Sequence, residues 1–205
     1  YVIKLFYFGD NAMLLNATAA SGLVSTLTPI TVIFGAIMFN RMMETTGCID
    51  VIRKWLATIS PNPIAQLMII GWSFAFMIEG ASGFGTPAAI AAPILMSLGF
   101  NPLKVAIFTL VMNSVPVSFG AVGTPTWFGF APLNLSAENI LAIGRQTGVM
   151  HFFAGFIIPV IGLSFIVPWA EIRKNLGFIG IAVFSCTLPY VALAMVNEEF
   201  PSLVA

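Results

Sequence analysis

Charged residues are scarce in this chain. They make up 8% of it, with eight Lys and Arg balanced by eight Asp and Glu, while 59% of the residues are hydrophobic. A water-soluble domain needs a polar surface that this composition cannot supply. The basic residues are also scattered, which excludes a nucleic-acid-binding surface. The chain is therefore predicted to lie in a lipid bilayer as an all-α protein.

Histidine and cysteine are scarce as well, with one His and two Cys in the whole sequence. Cys48 and Cys186 match no metal or redox spacing, and no cluster of His, Asp or Glu has ligand spacing. We expect both cysteines to be small packing residues. We also expect no metal, no cofactor and no enzymatic activity.

The length bears on how much of a transporter is present. The chain begins at Tyr1 without an initiator Met or a signal peptide, and transporters are commonly built from two related halves. Residues 1–205 are thus predicted to be one transmembrane transporter domain, a fragment that holds half of an inverted repeat.

Several apolar runs have the roughly 20-residue length of a membrane-crossing helix. Crossings are predicted over residues 12–40, 148–169 and 176–196, the first kinked near Thr28 and Pro29. The mixed segment 41–62 is typical of an interfacial amphipathic helix. Ser136 is predicted to cap a short polar helix that reaches Arg145. The polar segment 197–205 gives no prediction.

Two further segments are interrupted. Residues 63–99 hold two short apolar runs joined by residues 79–86, which predicts a re-entrant helical hairpin. Residues 103–133 form one discontinuous crossing, broken at 118–125. Cytoplasmic loops are rich in Lys and Arg, and this arrangement places six basic residues on one side: Arg41, Arg53, Lys54, Lys104, Arg173 and Lys174. Two full crossings in place of the hairpin give the same parity, so both topologies remain open.

Backbone without helical hydrogen bonds cannot face lipid, so the two interruptions are expected to line a polar cavity. Gly83, Gly85 and Gly123 open the backbone, and Thr86 and Thr124 are predicted to cap the helices that follow. The free N–H groups at such helix starts are suited to a carboxylate. Alternatively, the glycines only allow close helix packing.

Glu79 is the most unusual residue, because a carboxyl at membrane depth is a functional candidate by default. We predict that it carries a proton with the substrate, the alternative being that it bonds amides of its own loop. Ser82, Asn113 and Ser118 are predicted substrate contacts. For Asn113 and Ser118, hydrogen bonding between helices is the alternative.

Arg145 and His151 lie at the start of a predicted crossing. Arg145 either attracts anions or anchors the helix at the interface. His151 either titrates near neutral pH or is only an interface residue.

Four stretches resemble the bacterial lactate permease family: IEGASGFGTPAAI at 78–90, LGFNPL at 98–103, NSVPVSFGAVGTP at 113–125 and GRQ at 144–146. The resemblance implies import of L-lactate with protons across the plasma membrane, with D-lactate and glycolate as further candidate substrates. Familiar members carry a small residue at the place of Thr86 and Ile at the place of Thr124. The resemblance thus favours backbone amides over these two hydroxyls as ligands.

Two other functions are considered. Gly80 to Gly83 fit the Gly-x-Ser-Gly pattern of rhomboid intramembrane proteases, with Ser82 as nucleophile and His151 as base. A channel is the third possibility, and saturable transport with counterflow would distinguish a carrier from it. The sequence does not predict the oligomeric state.

Overall fold

A computed structural model describes the backbone of residues 1–205 and all side chains except those at positions 36, 40, 53 and 57. No β-strand occurs in this backbone, and a few short 3₁₀ and π segments lie between the α-helices. The α-helices are α1 Val2–Phe6, α2 Ala12–Ser25, α3 Leu27–Thr45, α4 Cys48–Thr58, α5 Pro63–Met68, α6 Ala75–Ser82, α7 Thr86–Ser97, α8 Pro102–Asn113, α9 Gly120–Phe130, α10 Ala137–Ser164, α11 Trp169–Lys174, α12 Leu176–Ala194 and α13 Pro201–Val204. The predicted all-α class is confirmed.

The chain divides into two compact units, Tyr1–Cys48 and Ile49–Ala205. In the first, α2 follows an Asn11 cap, and α3 continues from it after Thr26. The interruption lies three residues before Pro29, close to the predicted kink. The expectation of one transporter domain over the whole length stays a prediction.

The hairpin of the second unit begins at Asn62, whose side chain accepts hydrogen bonds from the first N–H groups of α5. A π-helical segment, Ile69–Phe74, joins α5 to α6, so one helix runs continuously over Pro63–Ser82. The shorter α7 packs back on α6 and on the π segment. These contacts support the hairpin, and its re-entry into the membrane remains a prediction.

The hairpin arms differ from expectation in length. Residues 79–82 were placed in the connecting loop, but they continue α6, and the connection is only Gly83–Gly85. The glycine-rich composition suggested a longer loop, whereas burial of Glu79 and Gly80 keeps the last helical turn intact. The first arm is therefore long and apolar enough to cross a membrane, contrary to its predicted shortness.

The discontinuous segment is confirmed. Pro102–Asn113 and Pro116–Leu133 meet at an angle of 57°. The break starts at Ser114, four residues earlier than predicted, because Pro116 cannot donate to the helical ladder. A 3₁₀ turn, Pro116–Phe119, follows before the chain enters α9.

Two long helices, α10 and α12, pack along each other and support the broken segment. A Cβ added to Gly148 would lie 2.6 Å from the Ala194 Cβ, so glycine is what allows this close approach. The predicted short polar helix and the crossing after it are one 28-residue helix, since nothing interrupts helical bonding between them. Its cap is Ser136, as predicted.

Four helices are long and apolar enough to cross a membrane in the described chain: Ala12–Thr45, Pro63–Ser82, Ala137–Ser164 and Leu176–Ala194. The bent pair brings this to five. The protein is thus a multi-pass membrane protein with a broken helix in its second unit.

Candidate substrate site

The hairpin connection is the first opening in the backbone. Gly83, Phe84 and Gly85 all have positive φ, at 58°, 52° and 78°. The N–H groups of Phe84 and Gly85 have no hydrogen-bond partner within the described chain. Both residues are exposed. This connection therefore presents donors suited to an anion.

The second opening is the left-handed run Ala121, Val122 and Gly123, with φ of 46°, 53° and 70°. Two of these residues carry a Cβ, and such conformations cost roughly 1–3 kcal/mol each. This run lies inside the range of α9 and kinks it. Three side chains in the part of α9 after the kink donate to carbonyl oxygens of the break: Thr124 Oγ1 to Ala121 at 2.6 Å, Thr126 Oγ1 to Ser118 at 3.2 Å and Trp127 Nε1 to Val122 at 3.2 Å. These bonds keep the strained turn in place.

The two openings meet. A Cβ added to Gly83 would lie 2.8 Å from the Ala121 Cβ, so the hairpin connection packs directly on the left-handed run. Gly120 packs on the Glu79 carboxyl group, with its added Cβ 3.1 Å from the carboxyl carbon. The two interrupted segments therefore lie against each other, and a substrate site between them stays a prediction.

Glu79 is 1% exposed, on the last turns of α6. The Asn113 side chain at the end of α8 faces its carboxyl group. Glu79 Oε2 and Asn113 Oδ1 are both buried without a hydrogen-bond partner in the described chain. Both atoms are acceptors, so a proton on Glu79 could bond the Asn113 oxygen, and the NH₂ group of Asn113 is a second donor that faces the carboxyl group.

The threonines do not cap as predicted. Gly85 is the N-cap residue of α7, without a side-chain hydrogen bond, and Thr86 is already the first helical residue. Thr124 donates back to Ala121 instead of accepting from the following turn. Gly123 packs on the backbone of Glu199. A Cβ added to Gly123 would lie 2.5 Å from the Glu199 Cα, so this glycine allows close packing.

A cavity of about 140 Å³ lies beside the second break, between that segment and α10. Its lining contains Ser118, Thr126, Gly144 and Thr147, with aromatic and aliphatic walls. Among the predicted substrate contacts, only Ser118 lines it. The volume suits a small molecule.

Other polar groups are tied to the fold. Ser82 Oγ donates to the Ile78 carbonyl at 2.9 Å, and His151 Nδ1 lies 2.7 Å from the Tyr190 hydroxyl. Ser82 and His151 thus form no nucleophile and base pair with each other. Arg145 Nε donates to the carbonyl of Met195, the residue that follows α12, at 2.8 Å.

Sequence reasoning missed the segment after α12. Residues 197–205, for which the sequence gives no prediction, pack on α6 and on the second opening: Ser202 and Leu203 contact Gly80, and Glu199 contacts Gly123. Tyr190 was missed too, although a single tyrosine in an otherwise apolar helix is a signal, since its hydroxyl needs a partner when buried.

These features define a class, namely multi-pass helical membrane proteins with a discontinuous helix. The L-lactate permease family matches residues 1–205. A Haemophilus influenzae protein named "Putative L-lactate permease" is 60% identical over 98% of this chain and 38% of its own length. The L-lactate permease of Escherichia coli K12 is 31% identical, covering 100% of this chain and 37% of the relative. The glycolate permease GlcA of the same strain is 33% identical, covering 88% and 30%.

The chain therefore belongs to the L-lactate permease family, as the sequence resemblance implied. It spans about a third of the length of these relatives, which agrees with the expected fragment. No solved structure matches it. Because the named relatives are permeases, which transport and do not catalyse, the protease alternative finds no support.

Proposed function

We propose that this chain is the part of a plasma-membrane secondary transporter that binds L-lactate and carries it with protons. D-lactate and glycolate are the further substrates proposed. The observation that carries this is the meeting of the hairpin connection, the broken helix and the buried Glu79 carboxyl at one place. Discontinuous helices that meet in this way are typical of substrate and coupling-ion sites in transporters.

The chemistry of lactate fits the groups near the two breaks. Its carboxylate needs N–H donors, which Phe84 and Gly85 offer, and its hydroxyl can bond Ser118 or Thr147 in the neighbouring cavity. Glycolate has the same carboxylate and hydroxyl without the methyl group. The relatives named for lactate and for glycolate support this substrate class. Ser82, Gly83, Thr86, Gly123 and Thr124 remain predicted site residues.

Proton coupling is assigned to Glu79 for two reasons. A charged carboxylate is costly in a buried site without a partner charge. In addition, one of its oxygens and the amide oxygen of Asn113 lack donors. Protonation removes the charge and provides a donor, so loading of the proton stabilises this part of the fold.

The test uses the full-length protein in proteoliposomes with labelled lactate and an imposed pH gradient. Glu79→Gln keeps the size and a donor but cannot release a proton, so gradient-driven uptake should fall by roughly tenfold or more while lactate exchange continues. Glu138→Gln, at the exposed start of α10, is the matched control and should retain gradient-driven uptake.

Two results would count against the proposal. Gradient dependence that is unchanged in Glu79→Gln removes this residue from coupling. Uptake that neither saturates nor shows counterflow in the wild-type protein assigns it to the channels.

A further inference from the structure

The α-helical ladder of α8 ends at Ser114, and the short 3₁₀ turn Pro116–Phe119 follows. Bonds of a 3₁₀ turn have poorer geometry than those of an α-helix, so the turn depends on further contacts. A carbonyl oxygen can accept a second hydrogen bond. The carbonyls of Val115 and Pro116 each accept one from a side chain that is distant in sequence.

Tyr190 of α12 provides the first of these bonds. Its side chain is 0% exposed, and its hydroxyl donates to the Val115 carbonyl at 3.3 Å. The ring is held between Phe76 and Phe119, at centroid distances of 5.6 and 5.3 Å. The ring therefore has little freedom to move away from the break.

Ser202 of α13 provides the second. It is also 0% exposed, and its Oγ donates to the Pro116 carbonyl at 2.6 Å. The backbone at Ser202 and Leu203 packs on Gly80, the residue after Glu79. The bonded carbonyls thus lie between α8, which ends with Asn113 facing Glu79, and the left-handed run beside the cavity.

The hydroxyl of Tyr190 has one proton, and both His151 Nδ1 and the Val115 carbonyl can accept it. His151 Nδ1 is 2.7 Å away, closer than the Val115 carbonyl. When Nδ1 bears a hydrogen, His151 donates to the Tyr190 oxygen, and the proton of the Tyr190 hydroxyl is available to Val115. The tautomer of His151 therefore influences whether Tyr190 donates to the carbonyl of the break.

We propose that Tyr190 and Ser202 are positioning residues that hold the break in its substrate-binding shape, and that His151 orients the Tyr190 hydroxyl. This inference rests on the proposed function. It adds three residues that touch neither the carboxyl of Glu79 nor the cavity, and that act through the backbone of residues 115 and 116.

The experiment measures KM and maximal rate of lactate uptake by the full-length protein in proteoliposomes, with hydrogen exchange of residues 114–124 measured alongside. Tyr190→Phe and Ser202→Ala should each raise KM about tenfold, with the maximal rate within about twofold of wild type. Without the hydrogen bond, the substrate-binding conformation of the break is only one of several populated conformations, which lowers the apparent affinity. Exchange at the break should become faster. Ser202→Thr keeps the hydroxyl and should restore both values.

The controls isolate the break from general loosening. Ser185→Ala removes an exposed hydroxyl of α12 that bonds only its own helix, and should change neither KM nor exchange. His151→Asn retains an N–H group near the place of Nδ1 and should preserve KM, whereas His151→Leu should raise it as Tyr190→Phe does.

A loss of maximal rate at unchanged KM in Tyr190→Phe would overturn the inference, as would unchanged exchange at 114–124. Lactate uptake by the wild-type protein reports separately on the proposed function. If wild-type uptake is absent, that function fails, and exchange at the break alone still decides whether the three side chains hold it.

Discussion

The sequence Gly-Thr-Pro occurs at both interruptions, as residues 85–87 and as residues 123–125, and these two triplets have opposite environments. At the hairpin connection Gly85 is exposed, has open space around it and leaves its N–H free. At the second break Gly123 is buried against Glu199, and Thr124 bonds the carbonyl of Ala121. The first triplet leaves backbone N–H groups free to bind a ligand, and the second stabilises a strained stretch of backbone.

This difference shows that a glycine-rich interruption has two separable uses. One is to present N–H groups to an anion, which requires access. The other is to let chain segments approach closely, which requires burial. Both interpretations of the glycines are open from the sequence. Close packing is observed at Gly123, and anion binding at the first triplet stays a prediction.

The largest effect is expected from adding a methyl group to the glycine of each triplet. Gly123→Ala places a Cβ 2.5 Å from the Glu199 Cα at a positive φ, which adds steric overlap to conformational strain. We expect about 2–5 kcal/mol of destabilisation. Gly85→Ala suffers only the strain, about 1–2 kcal/mol. Thermal unfolding of the purified protein in detergent compares the two.

Equal unfolding midpoints for Gly123→Ala and Gly85→Ala would show that the second break yields as easily as the first. The contrast between an exposed first triplet and a tightly packed second triplet would then be wrong. Gly129→Ala is a useful reference, since Gly129 is exposed with nothing within 4 Å and has ordinary helical φ.

A smaller effect is expected from exchanging each threonine for valine. Thr124→Val leaves the Ala121 carbonyl without its donor in a buried place, at a cost of about 1–3 kcal/mol. Thr86→Val removes a hydroxyl that bonds nothing in the described chain, and should change stability by less than about 0.5 kcal/mol. The same detergent unfolding assay applies, and a Thr86 effect as large as that of Thr124 contradicts the comparison.

The smallest effect concerns the cavity beside the second break. Thr147→Val preserves the shape of the wall but removes a hydroxyl from it, so the KM for lactate should rise a few-fold, about 1 kcal/mol, with stability unchanged. Ser164→Ala, at the exposed far end of the same helix, is the control. An unchanged KM in Thr147→Val would remove Thr147 as a partner of the substrate hydroxyl and leave Ser118 as the hydroxyl partner in this cavity.

Much of the architecture was predictable because it depends on local composition. Apolar length marked the long helices, Ser136 marked a helix start, and the prolines and glycines marked both interruptions. The boundaries were harder. Glu79 remains helical because its burial favours an intact last turn, which hydropathy alone does not reveal.

The partners of the break were not predictable. The sequence separation from Tyr190 to Val115 and from Ser202 to Pro116 is large, and hydrogen bonds between such positions follow from packing. The segment 197–205 looked uninformative for the same reason. Its role depends on lying against Gly80 and Gly123, and no local pattern encodes that position.

The helical membrane class and the two backbone interruptions follow from the sequence, because hydropathy, proline and glycine act locally. The family is indicated by the motif stretches around the interruptions and shown by the family match over residues 1–205. The difference between the two interruptions depends on tertiary packing. A free N–H group and a buried glycine have the same sequence signature, and they differ only in what packs against them.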